Sequence, residues 1–212
     1  MRYELRLSEW KWPFYIMLHP FTGYEDLRWK KAYSLKTAWA AVAAFFIISV
    51  ADAQLTGFLF NYTYTKVFNI VPHFSSTVIL FITWVIANRS LCTLFDGEGS
   101  VKSIFCASAY ALVPYLISGI AVIAASNVLL MNESGFITLL RFVGTGWSVI
   151  LMISAIKTVN QYSLPRTIAV MILTVAAMAL ILFLALLLIV LFQQVFVFVY
   201  SVITEIIYRM SY

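Results

Sequence analysis

Asp52 and Arg141 are the charged side chains whose surroundings say most. Each stands in a long apolar stretch, where an ionisable group costs several kcal/mol unless it is paired or wetted. Asp52 falls in the outer part of the first stretch and Arg141 early in the fourth, so the two should lie at similar depth. Two arrangements are open. The side chains pair, directly or through water, or Asp52 is interfacial and Arg141 snorkels alone. A pair could serve structure alone or a proton or ion relay. His19 and His73 are far apart and have no obvious acidic partner. No serine stands in a nucleophile-elbow context and there is no HExxH, so neither a nucleophile–base pair nor a metal cluster is expected. The reading is of a non-enzyme without catalytic residues, cofactor or metal. Cys92 and Cys106 have neither metal-ligand spacing nor a disulfide framework and read as packing residues.

Three further groups could bind. On the inner side, Asn88 and Arg89 are followed by Asp96, Gly97, Glu98, Gly99 and Ser100. Two glycines among carboxylates favour a tight polar turn. The ligand spacing of a calcium loop is absent, as are the lysine and preceding strand of a phosphate loop. A surface for a cytoplasmic partner remains compatible with these residues. In the third stretch Pro114 frees a backbone carbonyl, which Ser108 or Tyr110 could satisfy. Tyr110 and Pro114 thus mark a kink, with close packing or a cavity beside it. Ala107, Ala111, Ser118, Gly119, Ala121, Ala124 and Ala125, with Gly144 and Gly146 in the fourth stretch, allow close helix contact. At the end of the chain Gln193, Gln194, Glu205 and Arg209 offer a polar face for docking. The triplets Asn61-Tyr62-Thr63, Asn88-Arg89-Ser90 and Asn132-Glu133-Ser134 match the glycosylation pattern, which is too short to mean much.

The elements that must position these residues follow from composition. Of 212 residues 63% are hydrophobic and 11% charged, against about 25% charged in soluble domains, and mean hydropathy is +0.93. Lipid must cover part of this surface. About 20 residues of helix cross the hydrocarbon, and five stretches suffice: Thr37–Leu59, Phe74–Phe95, Ile104–Met131, Phe136–Val159 and Pro165–Phe192. The expected fold is all-α, a polytopic bundle of five transmembrane helices (37–192). Segment 1–36 mixes basic and aromatic residues and reads as interfacial, broken by Pro13 and Pro20. Segment 193–212 reads as an amphipathic helix. Gln193, Gln194, Ser201, Glu205, Tyr208, Arg209 and Tyr212 share one face, and Val195, Val199, Val202, Ile206 and Met210 another. It either prolongs the fifth helix or bends along the membrane at the glutamine pair.

With the N-terminus inside, the inner segments hold Arg2, Arg6, Lys11, Arg28, Lys30, Lys31, Lys36, Arg89, Lys102, Lys157 and Arg166, and the outer side Lys66, Arg141 and Arg209. This positive-inside bias predicts a multi-pass protein of the cell membrane with an external C-terminus. It also explains the net charge of +5 without nucleic acid. Ala51-Asp52-Ala53 resembles a signal-peptidase site, but the preceding region is too long and too acidic. No internal repeat of the inverted-transporter kind is visible.

The run WVIANRSLCTLFDGEGSVKSIFCASAYALVPYLIS resembles the core of Yip1-domain membrane proteins. The shared features are Trp84 to Asn88 at the end of the second span, the Gly-Glu-Gly turn and the Ala-Tyr-Ala-Leu-Val-Pro block. The opening LHPFTGYEDLRWKK and the closing FVYSVITEIIYR resemble a bacterial, Firmicutes-like branch. The resemblance implies five membrane helices, a cytoplasmic N-terminus and an external C-terminus. Eukaryotic members serve vesicle trafficking and bind small GTPases, a role that does not transfer to bacteria. Bacterial relatives tend to be linked with ABC transporters, including carbohydrate importers. The leading expectation is therefore an accessory subunit whose partners are the lipid bilayer and transporter permease subunits or another membrane protein. A small oligomeric channel or carrier, and a membrane-organising scaffold, are the alternatives.

Overall fold

A computed structural model describes residues 8–61 and 68–210. Arg2, Arg6, Tyr62, Thr63, Lys66 and Tyr212 lie outside the described residues. All regular structure among the described residues is helical, and five helical stretches are long and apolar enough to cross a membrane. The elements are α1 (Trp12–Leu18), α2 (Pro20–Trp29), α3 (Leu35–Leu55), α4 (Ile70–Phe74), α5 (Leu80–Leu94), α6 (Val101–Ala111), α7 (Val113–Ser126), α8 (Ser134–Asn160) and α9 (Leu164–Met210). A π-helical turn, Ser75–Ile79, joins α4 to α5 in the second span.

The third span forms the axis of the molecule. Every residue from Ser103 to Ala111 is buried, and α6 is flanked by α1, α3, α5 and α8. The span breaks at Leu112, before Pro114, whose ring cannot donate and crowds the preceding turn. The Leu112 N–H turns back to the Ala109 carbonyl at 3.2 Å, and the Tyr115 N–H is taken by Ser148 Oγ at 3.0 Å. Ser108 and Tyr110 do not repair the break. Ser108 Oγ accepts from Trp84 Nε1 at 3.3 Å, and the Tyr110 hydroxyl reaches Thr37 Oγ1 at 2.6 Å and the Ser34 carbonyl at 3.2 Å.

The segment before the first span is more than interfacial. Pro13 and Pro20 stand in the first turns of α1 and α2, where a missing N–H costs nothing. They open helices, and His19 is the break between them. Trp12, Ile16, Tyr24 and Leu27 join the main core. The Tyr24 hydroxyl donates to the Ala107 carbonyl at 3.1 Å and Trp147 Nε1 to the Met17 carbonyl at 3.0 Å. The opposite face leaves Trp10, Phe14, Phe21 and Trp29 exposed, a composition suited to lipid headgroups.

α9 is one unbroken helix of 47 residues. The glutamine pair is not a turning point, because glutamine is a good helix former and neither Gly nor Pro follows. Only its first turns pack: Thr167, Val170 and Thr174 are buried, while every residue from Phe183 to Met210 is exposed. Phe196, Val197, Phe198, Ile203 and Ile207 fill the faces between the two predicted stripes, so the tail is apolar nearly all round.

The connections place the termini of α3, α5, α6, α8 and α9 that carry Lys36, Arg89, Lys102, Lys157 and Arg166 at one end, here the basic end. Asp52, His73 and Arg141 lie toward the other, the far end.

Candidate functional site

At the far end a cavity of about 440 Å³ with a mixed polar and apolar lining opens between α3, α4 and the start of α8. α3 lines it with Ser49 and Asp52, and Thr56 follows at its C-terminus, spaced i, i+3 and i+7 so that all share a face. α8 contributes Ser134, Thr138 and Arg141, spaced i, i+4 and i+7 and so also on one face. His73 closes a third wall from α4.

Asp52 and Arg141 meet in this cavity. Arg141 donates to both carboxylate oxygens, at 3.0 and 2.9 Å, and the Thr56 hydroxyl adds a third bond at 2.8 Å. This is the bidentate geometry in which guanidinium and carboxylate match best. Neither side chain is sealed: 47% of Arg141 and 30% of Asp52 remain accessible. His73 Nδ1 shares a hydrogen bond of 3.1 Å with Ser49 Oγ, and its ring stacks on Phe68. The π-helical turn begins two residues later. It leaves the His73 carbonyl to the hydroxyls of Thr77, at 2.6 Å, and Ser76, at 3.2 Å. Such turns disturb the ladder and concentrate at functional sites.

Gly57 and Ser126 hold the far end of α3 against α7. The Gly57 N–H donates to Ser126 Oγ at 3.0 Å, and a methyl on Gly57 would collide with the Ser126 carbonyl. Asn127 Nδ2 donates to the Leu55 carbonyl at 3.0 Å. The cavity wall is therefore stitched to the bundle.

The basic end is closed by side chains. Arg28 bonds the carbonyls of Thr158, at 2.7 Å, and Val159, and pairs with Glu98. Arg89 donates to the Gly99 carbonyl, while the Gly99 N–H donates to Asn160 Oδ1 at 3.1 Å. Gly97 and Gly99 lie so close to Tyr162 and Asn160 that a methyl on either would overlap them. Asn88 does not face the loop's outer surface: it is buried and donates to Thr174 Oγ1 of α9 at 3.2 Å. Asp96 and Glu98 are exposed. Arg166 lies over the Tyr162 ring and bonds the Phe95 carbonyl. Burial pushes the phenols of Tyr162 and Tyr33 up to about 12.

The remaining candidates are dispersed. An apolar groove of about 390 Å³ lies beside Pro114, lined by Met17, Ile117, Val143 and Trp147 but not by Tyr110. Gln193 and Gln194 are exposed on α9, and Glu205 pairs with Arg209 at 2.7 Å one turn apart. Among the described residues no group of three His, Cys, Asp or Glu could hold a metal ion. Reading the sequence by motif missed His73, Ser49, Thr56, Ser134 and Thr138. The signal was present as polar residues recurring at 49, 52 and 56 and at 134, 138 and 141 in otherwise apolar helices.

The family model for the Yip1 domain matches residues 14–187, which includes most of α1, all of α2 and the first half of α9. No curated protein and no solved structure matches the chain.

Proposed function

This chain belongs to the Yip1-domain family of membrane proteins, and on that premise we propose that it is a non-enzymatic accessory subunit docked on the membrane-spanning subunits of an ABC transporter, such as a carbohydrate importer. α9 carries this reading. Thr167–Thr204 contains no Asp, Glu, Lys, Arg or His. At about 1.5 Å per residue it measures roughly 57 Å, near twice the ~30 Å of hydrocarbon in a bilayer. Tilting to fit would need about 60°, beyond the ~40° at which spanning helices stop. The chain covers none of the second half itself. A partner protein rising beside the bilayer supplies the missing apolar surface. The basic end lies in the cytoplasm of the cell, which the distribution of Lys and Arg supports, so the tail rises on the outer side.

Photo-crosslinkers placed at Phe196 and Phe198 in native membranes test this directly. Adducts with transporter permease subunits are expected. Truncation after Phe192 should abolish co-purification of the permease subunits with the chain and leave the five spans inserted. Recovery of the full chain as a lone, unlinked monomer after gentle extraction would overturn the reading.

The far-end cavity favours a second reading, an oligomeric channel or carrier whose path includes Asp52 and Arg141. Liposomes containing only this protein would then show flux, and Asp52→Asn and Arg141→Gln should change it.

A further inference from the structure

We propose that the far-end cavity binds a small zwitterion, whose phosphate or carboxylate engages Arg141 and whose ammonium engages Asp52. Whatever the chain docks on, the charges in the cavity point to such a ligand. Arg141 and Asp52 neutralise each other, yet each keeps part of its surface on the cavity. A simple anion that drew Arg141 away would leave Asp52 unpaired at the edge of an apolar span. A simple cation would do the same to Arg141. Each outcome leaves one charge at the edge of the apolar span with neither partner nor counter-charge. A molecule carrying both signs replaces one internal pair by two external ones and strands neither charge.

Size and lining agree. About 440 Å³ lies within the range of small-ligand sites and admits a phosphoethanolamine or amino-acid group. Thr56 and Thr138, whose hydroxyls donate to Asp52 and to the Ser134 carbonyl, keep acceptor lone pairs, and Ser134 and the Ser49–His73 couple add further polar groups around it. The charged pair reaches its ligand from two walls on one support: α3 and α8 both rest on α6 and α7, while α4 and the π-helical turn rest on α3. Ala53, Phe60 and Ile137 give the same cavity an apolar side, which suits a ligand with acyl chains. The shared chemistry is an ammonium and an oxyanion on one short linker, supplied either by a lipid headgroup or by a free solute.

The test uses the full chain, delipidated in detergent, with native mass spectrometry as the readout. The probes are phosphatidylethanolamine, phosphatidylglycerol and free phosphoethanolamine. Phosphatidylethanolamine should be retained about tenfold better than phosphatidylglycerol, the worth of one charge-assisted contact. Asp52→Asn should erase that preference. Arg141→Gln should lower retention of both lipids. Thr138→Trp fills the cavity with the pair intact, and should lower retention by about tenfold too, which keeps the test decisive should a pair variant fail to fold. Retention of the lipid alone identifies a headgroup site, and equal retention of free phosphoethanolamine identifies a solute site. Equal binding of the two lipids, no retention of either zwitterion, or unaltered retention by Thr138→Trp overturns the proposal.

Discussion

Gly144 and Gly146 are two residues apart and read alike in the sequence, yet only one is a contact. A methyl on Gly144 would fall onto the Ser118 side chain, whereas Gly146 faces open space. Gly144→Ala should therefore cost about 1–3 kcal/mol through overpacking, and Gly146→Ala should be neutral or slightly stabilising. Melting temperatures in detergent distinguish them, and adding Ser118→Gly should recover most of the Gly144→Ala loss. Tyr162 makes a prediction about pH. Its phenol is raised from 10.0 to about 12 by burial. Below pH 10 folded and unfolded chains both hold the proton, and the contribution is complete. Between about pH 10 and 12 the unfolded chain ionises first, so stability falls. Tyr162→Phe should flatten part of that fall, with Tyr33 supplying another part. The cavity residues were only partly legible. Asp52 and Arg141 stood out because charge in an apolar run is rare. Ser49 and Thr138 did not, since lone hydroxyls in membrane helices usually bond their own backbone, and His73 has no partner near it in the sequence.

Whole spans were readable because the bilayer sets one length and one polarity for all of them. The break before Pro114 was readable too, because one ring forces it. Two features were hidden for opposite reasons. α1 and α2 carry the aromatic and basic residues of an interfacial segment, and the same residues also serve to pack against α6 and α8. Composition does not separate those roles. In α9 the glutamine pair resembled a bend because hydropathy dips there, but propensity, not hydropathy, decides whether a helix continues. The attachment of α9 rests on its first turns, where Asn88 donates to Thr174 and Cys92 Sγ donates to Asn88 Oδ1 at 3.4 Å. Asn88→Ala should destabilise the protein by about 1–2 kcal/mol and increase proteolysis in the 161–163 link. Unchanged melting and cleavage would show that α9 is held by apolar packing alone.

For the molecule as a whole, the two native cysteines are buried, so a single added cysteine reports its own side of the membrane. A membrane-impermeant maleimide applied to intact cells should label Asn132→Cys at the far end and not Lys102→Cys at the basic end. The reverse pattern would invert the topology proposed above and place the cavity and the tail of α9 in the cytoplasm. Arg28 sets a schedule of synthesis as well as a contact. Its partner, the Thr158 carbonyl, lies 130 residues further along the chain. At about 5–20 residues per second a ribosome needs roughly 7–26 s to supply it. During that time α2 exists without α8, the helix it will rest on. The first helices made are thus among the last to settle, and their outer aromatic face gives the nascent chain a place to wait on the lipid surface.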